Sequence, residues 1–102
     1  MKKSVPWKNE YSVFGIPETF EPYTDKPVHS ILFSAAEHYP HMGLICNDYF
    51  LSYPDVKDHS LRLAAAFNVL GLSKGDRVAT MLPTSIQFVI VDYALSIAGL
   101  VH

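Results

Sequence analysis

The chain has 102 residues and a mass of 11.4 kDa, enough for one domain of ordinary size or a portion of a larger one. Its composition, 49% hydrophobic, 18% charged and 13% aromatic, excludes intrinsic disorder for most of the length, because so many apolar side chains require burial. A net charge of −2, with eight Lys and Arg scattered from Lys2 to Arg77, excludes a nucleic-acid partner, since neutralising phosphates takes a concentration of basic groups.

Area scaling for this mass gives about 5,800 Å² for a folded domain against about 16,500 Å² unfolded, so roughly 65% of the surface is expected to be buried. That supports a core but leaves little room for an elaborate enzyme site. Cys46 is the single cysteine, so neither an intrachain disulfide nor a cysteine-based zinc site is possible. This fits a reducing compartment, and a cytoplasmic location is expected. Lys2 and Lys3 have no apolar run behind them, which argues against a secretory leader. The most apolar stretch, Ile86 to Val101, contains Gln87, Asp92 and Ser96 and is too short to span a bilayer comfortably. It reads as a buried helix.

Residues 1–27 form a distinct arm with Pro6, Pro17, Pro22 and Pro27 between Trp7, Tyr11, Phe14, Phe20 and Tyr23. So many prolines leave no helical or strand period, and the arm is expected to be extended. Its aromatic rings argue that it lies across another surface. Regular patterning begins at Val28 and defines an α/β unit over residues 28–102.

Ser30 is expected to cap a helix from Ile31 to Tyr39, with Ile31, Leu32, Ala35, Ala36 and Tyr39 at helical spacing and Pro40 ending it. Leu44-Ile45-Cys46 and Tyr49-Phe50-Leu51 flank Asn47-Asp48, which predicts a hairpin whose turn residues take positive φ. Ser52 followed by Asp55 has the spacing of a capping box, with a shorter acid than usual. Behind it, Val56, Ser60, Leu63, Phe67 and Leu70 mark one helix face, while Lys57, Asp58 and Arg62 fall on the wet side. Gly71 suits the left-handed position that ends this helix, with Leu72 folding back.

Lys74-Gly75-Asp76 makes a turn, with Asp76 able to hydrogen-bond local backbone. Arg77 to Leu82 reads as a strand too apolar for one wet face, which predicts a central position covered on both sides. Pro83 ends it, and Thr84 or Ser85 caps a helix running to about Ala98 that is apolar nearly all round. Gly99 stops that helix, and Leu100-Val101-His102 looks like the opening of a further strand. Strand, helix and strand opening make a βαβ unit, so the fold class expected is α/β, an incomplete layered sheet with helices.

Chemistry-bearing patterns are scarce. Gly15, Gly43, Gly71, Gly75 and Gly99 are far apart, and none sits in a phosphate-cradling GxGxxG or GxxxxGK pattern. Ser85 at a strand-to-helix turn lacks the flanking glycines of a nucleophile elbow and is better read as a cap. His38 and His41 are three apart, but Pro40 breaks the helix that would align them, and His29, His59 and His102 add no second cluster for a metal. Asp55 is explained by capping and Asp58 by the solvent face. Asp92, on an apolar helix, is expected at an exposed rim or paired with Arg77 or Lys74. No catalytic, cofactor-binding or metal-binding residue is therefore assigned from the residues themselves.

From Leu51 to His102, about half the chain, the sequence resembles the N-terminal region of the adenylate-forming (AMP-binding) enzymes, which include acyl-CoA synthetases, luciferases and peptide-synthetase adenylation domains. Ser52-Tyr53-Pro54-Asp55-Val56 is similar to that family's Thr-Tyr-x-Glu-Leu, and Leu63 to Gly71 to its "Ala…Leu…Gly" segment. Lys74-Gly75-Asp76-Arg77-Val78 matches Lys-Gly-Asp-Arg-Val, Leu82-Pro83-Thr84-Ser85 is similar to Leu-Pro-Asn-Ser, and Ala94 to Gly99 to "Ala…Lys-Ala-Gly". Ser30 to Tyr53 resembles that family's helix, Tyr-Pro-Asp, strand, turn, strand lead into the motif, and the proline- and aromatic-rich arm is similar to the entry segment of fatty-acyl and medium-chain acyl-CoA ligases more than to that of peptide-synthetase domains. The resemblance implies a parent enzyme that activates a carboxylic acid, expected to be a fatty one, with Mg-ATP to an acyl-adenylate and transfers it to CoA. A carrier-protein or luciferase-type parent differs only after the adenylate. The family's glycine-rich phosphate loop, ribose-binding Asp, hinge and catalytic Lys have no counterpart among these residues, so no family site residue carries over. The chain alone is expected to be inactive and to self-associate through exposed apolar surface. A stand-alone interaction module is the alternative reading.

Overall fold

The computed structural model describes residues 5–102; the Lys2-Lys3 pair lies outside them. The elements run α1 (Lys8–Val13), α2 (His29–His38), β1 (Gly43–Cys46), β2 (Tyr49–Ser52), α3 (Tyr53–Val69) and α4 (Ile86–Ala98).

Residues 1–27 are not wholly extended as expected. The proline-free run after Pro6 closes a short helix, α1, which is held beside the following loop by a 2.9 Å ion pair between Lys8 and Glu18. A proline just ahead of a helix removes only an N–H that would be unpaired anyway. The arm's rings are nonetheless uncovered, with Trp7, Phe14, Phe20 and Tyr23 all exposed.

The first regular helix also starts differently from expectation. Ser30 does not cap it: α2 begins at His29 behind Val28, with no side-chain cap. The Ser30 and Ile31 N–H groups donate instead to the carbonyls of Pro27 and Val28 at 3.0 and 3.1 Å. Tyr39 falls just outside the helix at φ −130°, because the ring of Pro40 disfavours helical backbone in the residue before it.

The β1–β2 hairpin is antiparallel with Cys46 opposite Tyr49 and Gly43 opposite Ser52. Among the non-glycine described residues only Asn47 takes positive φ, at 54°, so one turn residue rather than two adopts the conformation predicted. The chain passes straight into α3 at Ser52. The Asp55 N–H donates to Ser52 Oγ at 3.3 Å, and the Ser52 hydroxyl donates to Asp55 Oδ2 at 2.8 Å. In the usual box the acid reaches the cap's own N–H. Asp, one methylene shorter than Glu, holds the hydroxyl instead.

At the far end of α3 the Leu72 N–H reaches the Phe67 carbonyl and the Gly71 N–H reaches that of Asn68, with Gly71 at φ 89°. These two bonds are the Schellman pattern, which satisfies carbonyls left over at a helix end. The α4 terminus repeats it: Leu100 to Leu95, Gly99 to Ser96, and Gly99 at φ 72°.

The core lies where α3 packs against α4 and α2. Val56, Ser60 and Ala64 of α3 meet Ile86, Ala94 and Leu95 of α4, with Leu32 and Ala36 of α2 and Leu100 completing it. Small Ser60 and Ala64 let the helices approach closely, and Ser60 Oγ reaches the Ile90 carbonyl at 3.4 Å. The buried stripe is thus rotated from the expected face: Leu63 and Phe67 are half-buried and Leu70 is 77% exposed. Around α4, Val89, Ile90, Val91 and Tyr93 are only partly covered and Phe88 is exposed.

The segment Arg77 to Leu82 departs most from expectation. It forms no ladder over Val78 to Leu82; a single parallel bridge joins Arg77 to Val101. Around it the Val78 N–H donates to the Val101 carbonyl, the Val101 N–H to that of Asp76 and the Gly75 N–H to that of Gly99, at 2.8, 2.8 and 2.9 Å. Among the described residues the parallel pairing is confined to Gly75 to Val78 and Gly99 to Val101. One face is covered rather than two: Val78 and Thr80 are half-buried, whereas Arg77, Ala79 and Met81 are exposed, Met81 by 99%. The order of strand opening, α4 and parallel bridge is that of the predicted βαβ unit, and the architecture is α/β.

The accessible surface is 8276 Å². Against about 5,800 Å² for a closed domain of this mass and about 16,500 Å² unfolded, the chain buries about half its surface.

Candidate functional site

Most of the candidate residues have local structural work. Ser85 caps α4, accepting the Phe88 N–H at 3.3 Å while its hydroxyl donates to the Pro83 carbonyl at 3.0 Å; Thr84 makes no cap. Asp76 Oδ2 accepts the Ser73 N–H at 2.7 Å, closing the turn as expected. Asp58 pairs with Arg62 at 3.0 Å on the solvent face. His38 Nδ1 lies 2.9 Å from the Ser34 carbonyl, a bond along its own helix. His29 meets Ser96 Oγ at 3.0 Å and tilts against Phe33, fastening α2 to the end of α4. Lys57 sits over the Phe33 ring at 4.6 Å, a cation–π contact between α3 and α2.

Asp92 lies at an exposed rim, one of the two placements expected, and its partner is neither of the cations anticipated. Its Oδ1 lies 2.8 Å from His102 Nδ1, and His102 Nε2 lies 2.8 Å from Thr80 Oγ1. Carboxylate, imidazole and hydroxyl thus form a chain from α4 to the parallel bridge, with the His102 ring tilted against Phe88 at 5.6 Å. The sequence offers His102 as a strand residue and as a histidine without a metal cluster, and nothing in it singles out Thr80. Period-two alternation places Val78 and Thr80 on one face, and the Arg77–Val101 bridge puts His102 on that face too. Strand pairing, not spacing, makes this cluster.

Two adjoining apolar cavities share Leu44 and Val89, between β1 and α4. One, about 180 Å³, adds Leu32, Val56, Tyr53 and Tyr93; the other, about 160 Å³, adds Cys46, Ser85 and Ile86. Burial pushes the Tyr93 phenol above its ordinary value of 10.0, reinforced by the negative charges of Asp92 and of Tyr53 when ionised.

Among the described residues no three of His, Cys, Asp and Glu come together to hold a metal ion. Nor is any helix among them long and apolar enough to cross a membrane.

Comparison with known proteins places this arrangement. The family model described as AMP-binding enzyme matches residues 32–102. A long-chain-fatty-acid–CoA ligase of Bacillus subtilis is 37% identical over 97% of this chain and 18% of its own length. Pyochelin synthase PchD of Pseudomonas aeruginosa is 42% identical over 61% of this chain and 11% of its own. The solved N-terminal subdomain of Klebsiella oxytoca NpsA, bound to 3-hydroxyanthranilyl-AMSN, superposes with a TM-score of 0.72 at 26% identity, covering 81% of this chain and 22% of that one. The chain therefore spans less than a quarter of each of these proteins. With 71 of its residues inside the family model and the subdomain architecture reproduced, the chain belongs to the AMP-binding, adenylate-forming enzyme family.

Proposed function

We propose that this chain is the N-terminal structural portion of an acid–CoA ligase, which activates a carboxylic acid, of the fatty class, with Mg-ATP and transfers the acyl group from the adenylate to CoA. Residues 1–27 are its entry arm and 28–102 the start of its first α/β subdomain. The observation that carries the CoA reading is the reach of the sequence likeness: the Bacillus subtilis ligase aligns over 97% of the chain, arm included, whereas the synthase matches cover 61% and 78%. The uncovered arm rings, the open face of Arg77 to Leu82 and a surface well above that of a closed domain support a portion that packs against further polypeptide. In this reading catalytic and ATP-binding groups lie on that further polypeptide, these residues supply caps, core and strand framework, and the enzyme works in the cytoplasm.

The family match alone is compatible with a second acceptor, the thiol of a carrier protein. The discriminating experiment follows acid-dependent thioester formation by the longer polypeptide carrying these residues, supplied in turn with CoA and with a phosphopantetheinylated carrier. Acyl-CoA formed from a fatty acid supports the reading. Thioester on the carrier alone overturns it.

A further inference from the structure

We infer that Thr80, His102 and Asp92 form a register key, a polar clasp that fixes how the strand opening at Leu100 pairs with Arg77 to Leu82 and docks both onto α4. Backbone hydrogen bonds alone do not choose a register, since they form equally well after a slip. Burial chooses the face: Leu100 is buried while Val101 is exposed, and alternation puts the partly covered His102 side chain, 24% exposed, on the Leu100 side. It does not choose between registers two residues apart, because Val78, Thr80 and Leu82 all follow on the same face.

The His102 ring removes that ambiguity. Its two nitrogens reach Thr80 Oγ1 on the strand and Asp92 Oδ1 on α4, both at 2.8 Å. A two-residue slip moves the ring by about 6–7 Å along the strand, beyond hydrogen-bond reach of either partner. Only one register satisfies all three side chains. The ring also packs against Phe88 of α4, so the clasp joins the strand pair to the same helix that carries the core residue Leu95. Hydroxyl, imidazole and carboxylate in this order also occur in nucleophilic relays. Here each bond ties one element of the βαβ unit to another.

The test is amide hydrogen exchange on the 102-residue chain, read at the Val78 and Val101 amides that form the parallel pair. Amides of α3 serve as an internal gauge that each variant is folded. His102→Phe keeps an aromatic ring against Phe88 and removes both polar bonds. The clasp requires protection at Val78 and Val101 to fall about tenfold, the scale of a lost hydrogen bond to a charged group, with α3 protection retained. Thr80→Val and Asp92→Ala each produce a smaller loss, and their combination loses no more than His102→Phe, because all act through one ring. Unchanged protection in His102→Phe, or strictly additive losses, overturns the inference and leaves His102 a packing residue. Stoichiometric acylation of Thr80 by p-nitrophenyl acetate, abolished by His102→Phe, likewise overturns it in favour of a nucleophile.

Discussion

Leu95 of α4 is fully buried where α3 and α4 meet, while Leu70, predicted by the same kind of periodicity to face the core, is 77% exposed just past the end of α3. Leu→Ala at these two positions is therefore a sharp contrast. Truncating a buried Leu removes its transfer free energy and leaves a cavity, together costing 2–5 kcal/mol, and Leu95, with Val56, Ser60 and Ala94 around it in the core, belongs at about 3 kcal/mol. Surface substitutions stay within about 0.5 kcal/mol. With a urea m-value of about 1–1.5 kcal/mol/M for a chain of this size, Leu95→Ala lowers the unfolding midpoint by about 2–3 M and Leu70→Ala by less than about 0.5 M. Since whole domains are stable by only about 5–15 kcal/mol and this one buries less surface than a closed domain, the Leu95 variant is expected to be largely unfolded at 37 °C. Urea titration followed by circular dichroism at 222 nm reads both. Equal losses at the two positions, or a loss below about 1 kcal/mol at Leu95, would refute the placement of the core between α3 and α4.

Ser52→Ala removes the cap of α3 and strands the Asp55 carboxylate that now holds the hydroxyl; it is expected to cost about 1 kcal/mol by the same titration, with Ser52→Asn largely restoring stability. The raised Tyr93 phenol contributes stability that is complete below the ordinary value of 10.0 and is lost as pH climbs from there through the folded value, because the unfolded chain releases that proton first. Tyr93→Phe should therefore flatten the fall in urea midpoint between about pH 9 and about pH 11 relative to wild type. An equally steep fall in both proteins would show that the Tyr93 environment is not desolvated.

What could be read from the sequence was what neighbouring residues decide among themselves. Ser52 and Asp55, Gly71 with Leu72, the Asp76 turn and the Ser85 cap all act within five residues, and the structure has each of them. Ser30 failed as a cap because the helix already begins at His29, so that Ser30 lies within its first turn with its own N–H and that of Ile31 bonded to the Pro27 and Val28 carbonyls. Leu70 and the far face of Arg77 to Leu82 were assigned to the interior because apolar residues favour it. Burial, however, depends on which surfaces are present to cover them, and among the described residues the core is covered by α2, α3, α4 and the hairpin, none of which lies over Leu70 or Met81. The partner of Asp92 was illegible for a related reason: Thr80 and His102 are 22 residues apart and meet only through the parallel bridge, so no local spacing announces them.

The reaction groups of an adenylate-forming enzyme, on this view, reside on chain other than these 102 residues. Acid-dependent exchange of labelled pyrophosphate into ATP, with Mg²⁺ and a panel of fatty and aromatic acids, reports adenylate formation directly. The 102-residue chain is expected to give the rate of a boiled sample with every acid. Exchange above that background, saturating with any acid, would place working adenylation chemistry on these 102 residues and end the structural reading.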